Sequence, residues 1–93
     1  MAQGIFDLTG RRALVTGSSQ GIGHALAQGL AEAGARVILN GRDPGKLAEA
    51  ATQIPGAEVL SFDVGDHAAA KAAIDGFEEI KGPIDILVNN AGV

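Results

Sequence analysis

Three glycines, Gly17, Gly21 and Gly23, restrict what this chain can fold into more than any other feature. They lie in Thr16-Gly17-Ser18-Ser19-Gln20-Gly21-Ile22-Gly23. Ala13-Leu14-Val15 enters the loop as a buried strand would, and residues 23–33 leave it as a helix would. A glycine-rich turn between a strand and a helix N-terminus is a phosphate site. Its backbone N–H groups point outward, and the helix dipole favours an anion there. The spacing is G-x-x-x-G-x-G rather than the commoner G-x-G-x-x-G of dinucleotide-binding loops. The three jobs still separate. Gly17 turns the chain sharply out of the strand, and Gly21 lets the backbone approach the phosphates. Gly23 has no Cβ and lets the helix pack on the strand. A glycine triplet alone also makes plain tight turns, so the rest of the chain has to carry the distinction.

Apolar runs with strand character occur at residues 12–16, 36–40, 58–62 and 84–89. They are β-branched and mostly continuous rather than alternating, as strands covered on both faces read. Helical patterns fill the gaps. The first runs from the glycine loop to Gly34, with Ile22, Leu26, Leu30 and Ala33 on one stripe. Gly29 lies inside it, and close packing on the sheet is the expected compensation. The second opens with Asp43 as N-cap and Pro44 at the first position, and would bury Leu47, Ala50, Ala51 and Ile54 before Pro55-Gly56. The third opens with Asp66, would bury Ala70, Ala73, Ile74 and Phe77, and ends at Gly82-Pro83. Connections of two to five residues are expected. The order β-α-β-α-β-α-β with right-handed crossovers predicts an α/β fold, four strands of a doubly wound parallel sheet of Rossmann type in the order 3-2-1-4.

Composition narrows the partners. A chain of 93 residues makes one domain at most, and a net charge of −4 without a basic run argues against nucleic acid or an acidic membrane surface. No apolar stretch reaches membrane-spanning length and no signal peptide is legible, so a cytoplasmic protein is expected. Cysteine is absent, which excludes disulfide, thiolate and zinc-thiolate chemistry.

The chemistry-bearing residues fall at strand ends. After the second strand comes Asn40-Gly41-Arg42. An acidic residue there would take the ribose 2′-hydroxyl of NAD. Gly41 offers no carboxylate, and Arg42 is placed to pair with a 2′-phosphate through its planar fork, which favours NADP. The bland alternative is a solvated turn arginine. Asp63-Val64 follows the third strand, where a carboxylate could accept from the adenine amino group and Val64 could pack on the ring; a turn aspartate is the alternative. Asn89-Asn90-Ala91-Gly92 ends the fourth strand, where small residues let a ribose and nicotinamide approach between strands one and four; a plain strand-terminating turn is the alternative. His24 and His67 read as exposed side chains with no second ligand at metal spacing. Glu78-Glu79 reads as a solvated helix face. No G-x-x-x-x-G-K-[ST] occurs, so no P-loop is present.

Taken together, the glycine loop at residues 16–23, Asp63 and Asn89-Asn90-Ala91-Gly92, in this order and spacing, resemble the short-chain dehydrogenase/reductase family. Phe6-Asp7-Leu8-Thr9-Gly10-Arg11, leading into the first strand, is similar to it as well. Among the members, the chain looks most like bacterial gluconate 5-dehydrogenase and 3-oxoacyl-carrier-protein reductase types. The resemblance implies NAD(P)-dependent interconversion of an alcohol and a carbonyl. The positions it carries over to the cofactor are Gly17, Ser19, Ile22, Arg42, Asp63, Val64, Asn90 and Gly92; Gln20, Gly21, Gly23 and Ala91, in the same two segments, complete the expected cofactor-binding set. Many NADP-using members have a basic residue where Gln20 stands, which leaves 2′-phosphate recognition to Arg42 and keeps NAD open as the cofactor. A small carbonyl or alcohol substrate and a homo-oligomer are expected of the full-length protein.

The family's catalytic Ser, its Tyr-x-x-x-Lys pair and its helix-borne Asn fall after the point that matches Val93, and this sequence has no Tyr. No catalytic residue and no metal ligand is therefore assigned here. Residues 1–93 are expected to be the dinucleotide-binding half of a Rossmann domain, truncated after the fourth strand and inactive alone. A non-catalytic dinucleotide-binding or interaction module complete at Val93 is the alternative. An S-adenosylmethionine-dependent methyltransferase is a third, disfavoured by Gly41 where its ribose hydroxyls would want an acid.

Overall fold

The computed structural model describes residues 7–90. Seven elements follow in order: β1 (Arg12–Val15), α1 (Gly21–Glu32), β2 (Arg36–Gly41), α2 (Pro44–Ala51), β3 (Glu58–Ser61), α3 (His67–Lys81) and β4 (Ile86–Val88). The strands form one parallel sheet in the order β3-β2-β1-β4, as predicted. The register sets Leu14 beside Ile38 and Leu87, and Val15 beside Leu39 and Val88. Successive residues therefore point to opposite faces, and both faces are apolar.

One face, with Ala13, Val15, Val37 and Leu39, is covered by α1 and α2 through Ala27, Leu47 and Ala50. The other, with Leu14 and Ile38, meets Phe62 and is covered by α3 through Phe77. Ala70, Ala73 and Ile74 are partly buried in that second cluster, as their spacing predicts. Cover is uneven, and Leu87 on edge strand β4 is 61% exposed.

Both aspartate caps form. Asp43 Oδ1 accepts from the N–H of Gly45 at 2.9 Å and of Lys46 at 3.2 Å, and Asp66 Oδ1 accepts from Ala69 N–H at 3.0 Å. The end of α2 comes earlier than its apolar spacing suggests. After Ala51 the chain tightens into i→i−3 bonds, Gln53 to Ala50 at 3.1 Å and Ile54 to Ala51 at 3.3 Å, so Ile54 is buried from a turn rather than from the helix. The connection from Thr52 to Ala57 is accordingly longer than expected. At β4, Ile84 and Asn89 lie outside the strand. Ile84 N–H is taken by Glu78 Oε2 at 2.8 Å, and the chain turns after Val88. Glu78 is thus half-buried and hydrogen-bonded rather than solvated, while Glu79 is exposed.

The stripe expected on α1 is displaced by one position. Ile22 is 75% and Leu26 43% exposed, and the residues buried against the sheet are Gly23 and Ala27. The cause is steric. A Cβ at Gly23 would stand 2.3 Å from the Gly17 carbonyl oxygen, so the helix lies as close to the loop as a bare backbone allows. It must then turn its smallest side chains inward. This rotation also half-buries His24, whose Nε2 lies 3.4 Å from the carbonyl oxygen of Ala50, whereas His67 is exposed as expected.

Gly29 does not pack closely: it is exposed, and a Cβ there meets nothing within 4 Å. Opposite outcomes follow for two glycines of one helix. Gly29→Ala is expected to stabilise by about 0.5–1 kcal/mol, because it costs nothing in the fold and restricts the unfolded chain. Gly23→Ala is expected to destabilise by about 1–3 kcal/mol through overpacking. Urea unfolding midpoints of the two variants check both signs.

Candidate functional site

The site begins where β1 stops. Thr16 continues the β1–β4 pairing through its N–H to Val88 O at 3.0 Å, and its Oγ1 accepts from Asn90 N–H at 3.0 Å. Gly17 then takes φ +61°, a left-handed turn suited to glycine, and sends the chain away from the sheet. Its N–H and its carbonyl are each held by an asparagine side chain. Asn40 Oδ1 accepts the Gly17 N–H at 3.1 Å, and Asn90 Nδ2 donates to the Gly17 carbonyl at 3.3 Å. Ser18 is fully buried; its hydroxyl donates to Val15 O at 2.6 Å and its N–H donates to Asn40 O at 2.8 Å.

These bonds leave the far side of the loop facing outward. Gly21 has φ +67° with open space where a side chain would stand. Gln20, the N-cap of α1, is extended and makes no side-chain cap. Among the described residues, α1 is the helix without a side-chain cap, whereas Asp43 takes two first-turn N–H groups of α2 and Asp66 takes one of α3. Uncapped N–H groups with the positive end of the helix dipole behind them attract an anion.

Beside this terminus is a cavity of about 500 Å³, within the size range of small-molecule pockets. Ser19 and Gln20 form one wall, Gly41 and Arg42 a second, and Asp63 and Val64 a third, with Asn40 and Phe62 below. Gly41 leaves room for this arrangement, because a Cβ there would come within 3.3 Å of Ser19 Oγ. Arg42 is 79% exposed at its side chain and its Nη1 lies 3.8 Å from Asp63 Oδ2 across the mouth. That pair is loose and solvated, and surface pairs of this kind contribute about 0–1 kcal/mol. The guanidinium is therefore available to a stronger anionic partner.

Most of the residues singled out in the sequence meet here, with differences in detail. Gly17, Ser19, Gln20, Arg42, Asp63 and Val64 line the cavity. Gly21, Ile22, Gly23 and Asn90 do not. Gly23 and Asn90 meet instead at the Gly17 carbonyl, on the β4 side of the loop. Asp63 does make the turn, since its Oδ1 accepts Gly65 N–H at 2.8 Å, and only Oδ2 faces Arg42. Val64 is partly buried against the cluster around Phe62 as well as lining the cavity. Ala91 and Gly92 lie outside the described residues. Two residues passed over in the sequence, Ser18 and Asn40, hold the loop. The signal was present: Asn is depleted in strands, and one that closes the buried run Val37-Ile38-Leu39 must find partners.

A depression of about 660 Å³ at the opposite ends of the strands, around Arg11, Arg12, Arg36 and Glu58, is larger. It has no open helix N-terminus. In open parallel sheets ligands bind at the carboxyl ends of the strands, where the strand order reverses. The cavity beside α1 lies at those ends. Among the described residues no cluster of His, Cys, Asp or Glu is arranged to hold a metal ion, and no helix is long and apolar enough to cross a membrane.

Known proteins share this arrangement. The gluconate 5-dehydrogenase of Gluconobacter oxydans is 48% identical over 93 residues, covering 96% of this chain and 36% of that protein. A 3-oxoacyl-(acyl-carrier-protein) reductase of rhamnolipid biosynthesis from Pseudomonas aeruginosa is 44% identical over 90 residues, covering 94% of this chain and 35% of that one. The crystal structure of a gluconate 5-dehydrogenase from Burkholderia cenocepacia, in complex with NADP and tartrate, superposes with a TM-score of 0.91 at 52% identity. It is matched over 100% of this chain and 38% of its own length. The chain thus spans about a third of the length of the curated relatives it matches. The family model described as short chain dehydrogenase matches residues 11–93, and the chain belongs to that family.

Proposed function

We propose that this chain is the NADP(H)-holding portion of an oxidoreductase that interconverts an alcohol and a carbonyl by hydride transfer. The observation that carries the proposal is the uncapped start of α1 opening on the cavity that Arg42 borders. The pyrophosphate would sit on the free N–H groups from Ser19 to Gly23, with Gly21 leaving the backbone unshielded. Arg42 would leave Asp63 for the 2′-phosphate, a charge-assisted and bidentate contact in place of a loose one. Adenine would lie along Val64, and Asp63 Oδ2 would accept from its amino group. Asn90, Ala91 and Gly92 would border the nicotinamide side, with exposed Ile22 opposite. The nicotinamide ring supplies or accepts the hydride; the residues of this chain bind and orient it.

The relatives support this reading. Their names are those of a gluconate 5-dehydrogenase and a 3-oxoacyl-(acyl-carrier-protein) reductase, and three similar crystal structures, from B. cenocepacia, P. aeruginosa and Agrobacterium tumefaciens, contain NADP. The proton that accompanies hydride transfer needs a group matched to that task, and the family's Tyr has no counterpart among these 93 residues. We therefore assign binding to these residues and the proton chemistry to segments beyond them. On this proposal residues 1–93 are half of one dinucleotide-binding domain and are inactive alone. A cytoplasmic location and homo-oligomeric assembly of the whole protein belong to the same proposal.

Fluorescence titration of the intact protein with NADPH, NADH and S-adenosylmethionine tests it. NADPH is expected to bind more tightly than NADH, and S-adenosylmethionine not to bind. Losing a charged hydrogen-bonding partner costs about 1.5–3 kcal/mol, so Arg42→Ala is expected to weaken NADPH by roughly 10- to 100-fold. NADH binding should hardly change. An NADPH-to-NADH ratio unaltered by Arg42→Ala contradicts the role given to Arg42, and binding of neither dinucleotide contradicts the whole reading.

A further inference from the structure

Asn40 is 1% exposed, between β1 and β3 at the end of β2. A primary amide has an acceptor oxygen and two N–H donors, and each of these is engaged. Oδ1 accepts from Gly17 N–H at 3.1 Å. Nδ2 donates to the carbonyl of Leu60 at 3.1 Å and to that of Phe62 at 3.1 Å. The main chain of Asn40 adds two bonds to Ser18: its N–H donates to Ser18 Oγ at 2.9 Å, and its carbonyl accepts Ser18 N–H at 2.8 Å. One side chain thus joins the first turn of the glycine loop, after β1, to the last residues of β3. Asp63 and Val64 come directly after Phe62. Strands β1 and β3 are not neighbours, so no backbone ladder joins one loop directly to the other, and β2 is the strand that lies between them.

We propose that Asn40 is a positioning residue that sets the spacing between the phosphate-binding loop and the loop carrying Asp63 and Val64. The two halves of an adenosine phosphate then meet surfaces at a fixed separation. This rests on the reading of the site as a dinucleotide site. Asn40 borders the cavity, but its amide oxygen and both amide N–H groups are turned to protein partners. Its effect on binding is transmitted through Gly17 on one side and the Phe62 carbonyl on the other.

Two substitutions separate this role from simple stability. Asn40→Leu keeps the approximate volume and removes all three side-chain bonds. Asn40→Asp keeps the acceptor for Gly17 but turns its second oxygen toward two carbonyl oxygens. A carboxylate has no donor to offer them, and a protonated carboxyl has one. Ile54→Val, in the core away from the cavity, serves as a control that lowers stability without touching either loop.

The probes are NADPH and adenosine 2′,5′-bisphosphate, titrated into the intact protein by calorimetry, with melting temperatures recorded alongside. Asn40→Leu is expected to weaken both probes about tenfold or more, since each lost bond alone shifts affinity several-fold. Ile54→Val should bind both as the wild type does. Asn40→Asp should weaken adenosine 2′,5′-bisphosphate at about pH 8 and regain affinity, relative to wild type at the same pH, towards about pH 6 as its carboxyl takes up a proton. If Asn40→Leu fails to fold, the pH series of Asn40→Asp decides alone. Wild-type affinities in these variants, with only the melting temperature lowered, overturn the proposal. A wild-type protein that binds neither probe overturns the dinucleotide reading and this proposal with it.

Discussion

The main chain of Gly17 is bonded on both sides of its Cα by side chains at the ends of the strands that flank β1. Asn40 holds its N–H from β2, and Asn90 holds its carbonyl from just beyond β4. Everything at the site depends on this grip. Because the Gly17 carbonyl is fixed, the first turn of α1 can approach it only through a residue without a Cβ, and that residue is Gly23. The close approach then rotates α1 so that Gly23 and Ala27 face the sheet and Ile22 and Leu26 face outward. The inward polar groups of the loop are satisfied by protein, and the next N–H groups are left for a ligand.

The three helices divide the labour accordingly. Two start with an aspartate that accepts from one or two of their own first-turn N–H groups, a device worth about 1 kcal/mol to each. The third starts with Gln20, which caps nothing. A helix start left open beside a cavity forgoes that stabilisation and gains an anion site. Arg42 and Asp63 mark the cavity's outer mouth. The cavity is therefore polar beside the start of α1 and at Arg42, and apolar at Val64, a pattern that suits the proposed dinucleotide.

Much of this was legible in the sequence. Asp43-Pro44 and Asp66 announce helix starts by capping chemistry, which is local and survives in the fold. The strand order follows from the glycine loop and crossover handedness, which are general. The buried face of α1 was not legible, because Ile22-Leu26-Leu30 and Gly23-Ala27-Leu30 are both apolar rows and only the contact with Gly17 chooses between them. The same hidden contact half-buries His24. Glu78 was misread as solvated because its partner, the N–H of Ile84, is presented by a turn after the helix. The role of Asn40 was not legible because its partners lie at the ends of two other strands, β1 and β3, that no linear spacing brings together.

The central claim is that the open start of α1, held by the two asparagines, is a phosphate site. Amide chemical-shift mapping during titration of the ¹⁵N-labelled intact protein with inorganic pyrophosphate tests it most directly. Saturable shifts are expected to concentrate at the amides of Ser19 to Gly23, with the capped amides of Gly45, Lys46 and Ala69 at the starts of α2 and α3 unmoved. Shifts of equal size at all three helix starts, or none at residues 19–23, would contradict it.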